Sequence, residues 1–205
     1  MSLKRFEELS SEEPRKYSLE EYFELEYNSD IRHEFHNGVI VECAYTSENH
    51  GRVVSNLARL LGNCLENSDC DVFASDRMVY TAKCNRIFYP DLTLVCGERE
   101  YYQYSKNMKA TTNPSILIEV ISNSTANIDR GDKLRCYRSL KSLKQYILVE
   151  QDFKNIEIYE RDENGRWVAK IYEEEEDVLK MGDCEIAIND IYLKVDLIEP
   201  NAVSD

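Results

Sequence analysis

One carboxylate interrupts an otherwise apolar stretch in the middle of the chain. Residues 116–121 read Ile-Leu-Ile-Glu-Val-Ile, with Pro114 before them and polar residues after them. Short runs of this kind, rich in β-branched residues, are typical of fully buried strands. An ionised carboxylate taken out of water needs a cationic partner, a metal ion or a raised pKa. Glu119 is therefore the first residue for which we expect a chemical role.

A second acid, Asp91, stands near the start of another apolar run. Residues 87–95 are predicted to form one strand, with Pro90 near its start, where a missing N–H does least harm. The alternative is that Asp91 is only a turn residue, because Pro-Asp is a common turn dipeptide. Two acids on neighbouring strands with a lysine nearby would form an oxygen site suited to Mg²⁺. Such a site serves phosphodiester hydrolysis, because the ion activates a water and stabilises charge on the phosphate.

The lysine for such a site could come from the next helix, predicted over residues 125–140. Five residues recur there at spacings of three and four and so share one face: Asp129, Lys133, Cys136, Tyr137 and Leu140. The apolar members direct this face toward the sheet. Lys133 could pair locally with Asp129 as an i,i+4 ion pair, or it could reach over the strand end to a carboxylate cluster.

Basic residues are concentrated on the same helix and just after it. They are Arg130, Lys133, Arg135, Arg138, Lys141 and Lys144, in a chain whose net charge is −14. The acidic total argues against indiscriminate polyanion binding, because phosphate contacts dominate the affinity of nucleic-acid binders. It is compatible with a local phosphate-contacting strip or with carboxylates that hold cations. The alternatives are a solvated helix face and an acidic surface that serves solubility.

Other local signals indicate an α/β protein of the α+β kind, with a mixed central sheet flanked by helices. Ser18 and Ser47 are expected to cap the N-termini of two helices. Two Asn-Gly pairs, at residues 37–38 and 164–165, predict hairpins. Residues 97–113 are polar and tyrosine-rich, and we predict a loop there.

The length of 205 residues suits one domain with a substantial core. We predict a loosely ordered arm over residues 1–16, a single domain over 17–195 and a tail over 196–205. No apolar run approaches the roughly 20 residues of a membrane helix, and the first residues lack the hydrophobic region of a signal peptide. The seven cysteines are scattered and contain no C-x-x-C pair. They are predicted to be small hydrophobic residues in a reducing cytoplasm, with no disulfide framework and no zinc site.

Four segments in a fixed order carry a resemblance to a known family. They are YPDLTLV (residues 89–95), PSILIEVIS (114–122), DRGDKLRCY (129–137) and YILV (146–149). This series resembles the Uma2 family (DUF820), restriction-endonuclease-like proteins of the PD-(D/E)XK nuclease superfamily. The segment RHEFHNG (32–38) is similar to the family's glutamate-containing hairpin, and His50 stands where the family has a histidine opening its long helix. For His50, the alternative is a surface or packing role.

The resemblance implies a restriction-endonuclease-like core with a metal ion held at the edge of the sheet. Carried over by position, Asp91 and Glu119 would be acidic ligands, and the backbone carbonyl of Val120 would be a further ligand. Glu34 would help to hold the metal or its water. The implied cofactor is Mg²⁺, with Mn²⁺ as a substitute.

One departure from the superfamily pattern concerns its lysine, which normally stands two residues after the second acid. This chain has Ile121 there. In Uma2-like sequences the charge comes from the next helix, which fits Lys133 as the catalytic lysine. The implied function is a Mg²⁺-dependent endonuclease that hydrolyses phosphodiester bonds in DNA, as a homodimer if it cuts both strands. The alternative is a catalytically inactive module of the same fold that binds nucleic acid or protein.

Overall fold

The computed structural model describes residues 15–105, 107–122 and 126–198. Most of the predicted arm over residues 1–16, and most of the predicted tail over 196–205, lies outside the described residues. The predicted start of the helix at residue 125 lies outside them too. The domain boundaries at residues 17 and 195 therefore stay predictions.

The helices are short, apart from the second one along the chain. They are α1 (Leu19–Tyr27), α2 (Glu48–Cys64), α3 (Ala126–Ile128), α4 (Leu134–Tyr137) and α5 (Ile188–Ile191). A π-helical turn, Asp129–Lys133, joins α3 to α4, and residues 126–137 are called the site helix below. Both predicted N-caps are confirmed, since Ser18 Oγ and Ser47 Oγ each accept a backbone N–H at 3.1 Å. In the part of the chain that the structure describes, no helix has the length and apolar character needed to cross a bilayer.

The strands form two six-stranded sheets and one small two-stranded sheet. They are β1 (His33–His36), β2 (Val39–Glu42), β3 (Cys70–Ala74), β4 (Val79–Thr81), β5 (Arg86–Phe88), β6 (Leu92–Cys96), β7 (Tyr101–Gln103), β8 (Lys109–Thr111), β9 (Ile116–Ile121), β10 (Gln145–Glu150), β11 (Ile156–Arg161), β12 (Trp167–Tyr172), β13 (Val178–Met181) and β14 (Cys184–Ala187). The first sheet has the order β2-β1-β5-β4-β8-β7, and the second has β12-β11-β10-β9-β6-β3. The mixed α+β class is confirmed, although two sheets replace the single central sheet that was predicted.

The prediction of one strand over residues 87–95 was wrong. The chain leaves the first sheet after β5 and enters the second sheet at β6, with residues 89–91 between them. Pro90 has no N–H to donate to a strand ladder, so the segment breaks there. The crossing is held by Ser75 N–H, which donates to the Asp91 carbonyl at 2.7 Å. Asp91 therefore lies where the two sheets meet.

Two further short strands lie in residues 97–113, where a loop was predicted. The hairpin β7–β8 completes the edge of the first sheet, with β8 parallel to β4. Phe23 of α1 stacks on Tyr102 and Tyr104, with ring centroids 5.7 and 5.0 Å apart. These strands have three residues each, too few for a visible period-2 pattern. Their stability comes from pairing and aromatic packing with distant parts of the chain.

Strand β9 is buried along its whole length and has a different neighbour on each face. Ile116, Ile118 and Val120 belong to the apolar cluster that includes the buried face of α2. Leu117 and Ile121 belong to the cluster that includes Tyr137 of the site helix. Side chains alternate across a strand, so Glu119 shares the second face and points toward the site helix.

The cysteine prediction was wrong. The structure contains three disulfides, Cys64–Cys184, Cys70–Cys96 and Cys84–Cys136, and leaves Cys43 free. The bonded partners are 120, 26 and 52 residues apart in the chain. Because only the tertiary fold brings such distant residues together, scattered spacing was no guide to pairing.

Candidate active site

The five positions expected to form the site all line one cleft of about 620 Å³. They are Glu34 on β1, Asp91 before β6, Glu119 and Val120 on β9, and Lys133 in the π-helical turn. The cleft lies at the carboxyl-terminal end of β9, between the two large sheets and the first turn of α2. Parts of the chain that are far apart in sequence thus contribute to one cavity.

Lys133 is the centre of an acidic cluster. Its Nζ lies 3.1 Å from Glu119 Oε1, 3.1 Å from Asp129 Oδ1 and 3.6 Å from Glu34 Oε1. Both interpretations of Lys133 are therefore true at once, because it pairs locally with Asp129 and also reaches the strand end. Burial favours the neutral amine, but the three carboxylates outweigh burial and raise the pKa of Lys133 well above its usual range. The lysine stays charged.

Glu119 is only 4% exposed and is held through one of its two oxygens. Tyr137 donates its hydroxyl to Oε1 at 2.9 Å, and Lys133 contacts the same oxygen. Among the described residues, Oε2 has no hydrogen-bond partner, and the residue lines the cleft. Burial, reinforced by the neighbouring carboxylates and opposed by Lys133, raises the pKa of Glu119 well above its usual range.

Asp91 is held by a backbone N–H and by a histidine. Its Oδ2 accepts the Val120 N–H at 2.8 Å and lies 3.1 Å from His50 Nε2. The histidine is fixed in the first turn of α2, where the cap residue Ser47 binds its backbone N–H. Of the two roles considered for His50, the structure supports contact with the site, because the ring lies against a predicted metal ligand.

Glu34 lies on β1 next to a second histidine. Residues two apart on a strand share a face, and His36 Nε2 lies 2.8 Å from Glu34 Oε2. Burial tends to raise the pKa of Glu34, but the Lys133 charge and the His36 hydrogen bond outweigh it and lower the pKa. Glu34 is positioned by the hairpin β1–β2, whose turn residues Asn37 and Gly38 both have positive φ, as the Asn-Gly signal predicted.

Three residues in or beside this cluster were absent from the predicted site: Asp129, Tyr137 and His36. Asp129 is only 3% exposed and lies in the π-helical turn, a feature often found at functional sites. Asp129, Lys133 and Tyr137 follow one another at intervals of four residues. That spacing was visible in the sequence and could have identified all three as one set, whereas His36 was signalled only by its i+2 relation to Glu34.

The basic residues of the site helix are mostly paired with acids or aromatic rings. Arg130 binds Glu150 and Glu157 at 2.8 and 2.7 Å, and Arg135 binds Asp132 at 3.1 Å. The arrangement favours a solvated, charge-balanced face over a phosphate-contacting strip.

The donor set of the cleft fits a hard divalent cation. Asp91 Oδ1 and Glu119 Oε2 have no hydrogen-bond partner among the described residues, and both residues line the cleft. Carboxylate oxygens are the ligands that Mg²⁺ and Mn²⁺ prefer. Within residues 15–105, 107–122 and 126–198, however, no three Asp, Glu, His or Cys side chains converge as a formed cage. Carboxylate oxygens are thus available as ligands, while Lys133 is the cation that links Glu119 to Glu34 and Asp129.

The fold itself is shared with a solved protein. The crystal structure of a putative nuclease belonging to DUF820 from Anabaena variabilis ATCC 29413 aligns with a TM-score of 0.66, at 14% sequence identity, over 86% of this chain and 97% of that one. The class is therefore a mixed α+β protein with the fold of that protein and an acidic, lysine-containing cleft. The model of the Uma2 family, described as putative restriction endonucleases, matches residues 19–186. This chain belongs to the Uma2 family.

Two proteins of Synechocystis sp. (strain ATCC 27184 / PCC 6803 / Kazusa) are similar to the chain over most of its length. The uncharacterized protein sll1609 is 32% identical over 148 residues, which is 72% of this chain and 82% of that protein. The uncharacterized protein slr1290 is 30% identical over 178 residues, which is 86% of this chain and 92% of that protein.

Proposed function

We propose that this chain is a metal-dependent endonuclease of the PD-(D/E)XK type that hydrolyses phosphodiester bonds in DNA. The observation that carries the proposal is the position of Lys133, whose Nζ lies 3.1 Å from Glu119 Oε1. The usual lysine position is taken by Ile121, which is fully buried among apolar residues. A lysine from the site helix thus lies beside the second acid. Membership of the Uma2 family supports the same class of activity.

The charge of the cleft explains why a cation is needed. Glu34, Glu119 and Asp129 contact a single lysine, and the nearby Asp91 adds a fourth carboxylate that acts on Glu119. Burial raises the pKa of Glu119, and the neighbouring carboxylates add to that rise because they disfavour a further negative charge. A phosphodiester is an anion and would be repelled from such a cleft. A bound divalent ion offsets the repulsion.

Asp91, Glu119 and Glu34 would hold the ion, with the backbone carbonyl of Val120 as a further ligand. We propose Mg²⁺ as the natural ion and Mn²⁺ as a substitute. When bound, such an ion lowers the pKa of a water and stabilises charge on the phosphate.

Lys133 would act as a hydrogen-bond donor. Its raised pKa keeps it protonated, so it is poorly suited to remove a proton from water. An ammonium at this position can orient the attacking water and stabilise the charge that develops on the phosphorane oxygens. Asp129, one turn earlier, keeps the lysine directed into the cleft.

The proposal is tested by cleavage of supercoiled plasmid in Mg²⁺ or Mn²⁺. Glu119→Gln and Lys133→Met are each expected to lower the rate about 100-fold or more, the usual scale for losing one charge-stabilising group. Glu176→Gln is the matched control, because Glu176 is exposed and lies outside the cleft. Cleavage that is metal-independent, or that persists in both site variants, would contradict the proposal.

A catalytically inactive module that binds nucleic acid or protein is the second candidate. The net charge of −14 and the lack of a formed metal cage among the described residues favour it. Calorimetric titration with millimolar Mn²⁺ separates the two candidates, because the inactive module has no need of the ion. Absence of binding would support the second candidate.

We further propose a homodimer, which would suit cleavage of both DNA strands. The edge strand β12 exposes Val168 (38%) and Ile171 (62%) and could pair with a second copy. Light scattering of wild type and Ile171→Lys tests the homodimer, and we expect the variant to be monomeric.

A cytoplasmic location remains the sequence-based proposal, while the three disulfides favour an oxidising environment. Alkylating the free thiols in intact cells and counting them decides between the two locations, because the disulfides would persist only in an oxidising environment.

A further inference from the structure

The same carboxylate oxygen of Glu119 receives the contacts of both Tyr137 and Lys133. Tyr137 Oη and Lys133 Nζ both bind Oε1, at 2.9 and 3.1 Å. Oε2 makes no hydrogen bond to any residue that the structure describes. A carboxylate held at one oxygen by two donors has its rotation restricted, so the second oxygen keeps a defined direction. Because Glu119 is only 4% exposed and lines the cleft, that direction matters for any ligand.

Tyr137 is well suited to define the position of Oε1. It is fully buried and makes edge-to-face contacts with Phe88 and Tyr146, each with ring centroids 5.1 Å apart. Its neighbour Cys136 is joined to Cys84 in the turn before β5. The phenol therefore has little freedom to rotate, and its hydroxyl is fixed as the donor of the 2.9 Å hydrogen bond to Glu119 Oε1.

Lys133 alone would hold Glu119 less specifically. Its ammonium is shared among three carboxylates, including Asp129 at 3.1 Å and Glu34 at 3.6 Å. An ammonium on a flexible stem can exchange partners, whereas a phenol fixed by packing has one direction for its O–H. The described contacts thus make Tyr137 the donor that orients the carboxylate and Lys133 the charge that stabilises it.

We propose that Tyr137 is a positioning residue for Glu119. Its hydroxyl holds Oε1 against the site helix so that Oε2 faces the cleft, where the divalent cation binds. This inference rests on the proposed metal-dependent function, since it assigns a task to Tyr137 only if Glu119 is a ligand. Partners that orient a metal ligand typically change metal affinity 10- to 100-fold when they are removed.

The test measures Mn²⁺ affinity by calorimetry on the full chain, without substrate. Tyr137→Phe removes one hydroxyl and keeps the ring, and we expect it to weaken Mn²⁺ binding about tenfold or more. Tyr192→Phe is the matched control, because Tyr192 is also buried, donates to the Glu150 carbonyl at 2.9 Å and lies outside the cleft. Both variants should unfold at similar, slightly lower temperatures, so a purely structural effect would appear in both.

A second comparison ties the effect to the carboxylate. In a Glu119→Gln background, which lacks the ligand, Tyr137→Phe should change residual Mn²⁺ binding little. If wild type binds Mn²⁺ and Tyr137→Phe binds it with the same affinity, the positioning role is overturned and the metal site stands. Equal weakening by Tyr192→Phe would overturn it too. A wild-type protein that binds no Mn²⁺ would overturn the metal site itself, and the positioning role with it.

Discussion

Lys133 Nζ lies 3.1 Å from Glu119 Oε1, although the two residues lie on different elements and 14 positions apart in the chain. The pair joins the buried strand β9 to the π-helical turn of the site helix. In the PD-(D/E)XK pattern that we propose for this chain, the lysine usually follows the acid along the same strand. Here the positive charge beside Glu119 comes from the site helix. The strand position two residues after Glu119 is occupied by Ile121, which is buried.

Removing the Lys133 charge should destabilise the fold. Lys133→Met keeps the length of the side chain but leaves buried carboxylates without their cation, which typically costs about 3–5 kcal/mol. Urea unfolding measures the loss. Arg135→Met is the control on the same helix, because Arg135 pairs with the half-exposed Asp132, and we expect a change within about 0.5 kcal/mol. Equal effects of the two variants would show that Lys133 contributes no more than a surface charge.

Glu119 should make stability depend on pH in a direction unusual for an acid. Its pKa in the folded protein is raised, so between about pH 4.3, the ordinary value, and that raised pKa the folded state binds the extra proton. This contribution to stability is therefore present at low pH and is lost as the pH rises toward the folded-state pKa. Glu119→Gln should remove this pH-dependent contribution. As the pH rises from 5 to 8, the unfolding free energy of the variant should therefore increase relative to that of wild type. A constant difference in unfolding free energy across that interval would contradict this prediction.

His50 should matter for the site more than for the fold. Its Nε2 lies 3.1 Å from Oδ2 of Asp91, which we propose as a metal ligand. Loss of a contact that orients a metal ligand typically weakens metal binding 10- to 100-fold. We expect His50→Ala to lower Mn²⁺ affinity on this scale in a calorimetric titration. Arg52 lies on the same helix and pairs with the exposed Glu48, so Arg52→Ala should bind Mn²⁺ like wild type. Unchanged affinity in His50→Ala would return His50 to a packing role.

The disulfide between Cys84 and Cys136 should contribute substantially to stability. It closes a loop of 52 residues, which corresponds to about 4 kcal/mol in the chain-entropy model. The double variant Cys84→Ser/Cys136→Ser should unfold at a lower urea concentration, with an unfolding free energy lower by about 4 kcal/mol. Thiol titration of denatured, unreduced protein should find the single free thiol of Cys43, whereas seven reactive thiols would show that the disulfides do not form.

Local patterns predicted the parts of the site that depend on neighbouring residues. The buried strand around Glu119 was readable from its composition, and the hairpin carrying Glu34 was readable from an Asn-Gly pair whose positive φ angles the structure confirms. The helical spacing of Asp129 and Lys133 placed both on one face. In each case the signal was a property of a few consecutive residues, which is where propensity and periodicity act.

Contacts between distant segments were not readable in the same way. The chain crosses from one sheet to the other at Pro90, and no local pattern distinguished this from a strand that begins with proline. His50 acquires its partner Asp91, 41 residues further along the chain, through the placement of α2. The disulfides pair cysteines 26 to 120 residues apart, and the strands of residues 97–113 depend on pairing with β4.

The sequence by itself determined which side chains could do chemistry: a carboxylate in an apolar strand, a second acid after a proline, and a lysine on an inward face. These are consequences of burial and periodicity, which act along the chain. Only the tertiary structure decided that one lysine is shared by three acids, that Tyr137 binds the same oxygen of Glu119 as Lys133, and that His50 contacts Asp91. Distances of about 3 Å between atoms of different elements follow from how those elements pack, and packing is settled by the whole chain at once.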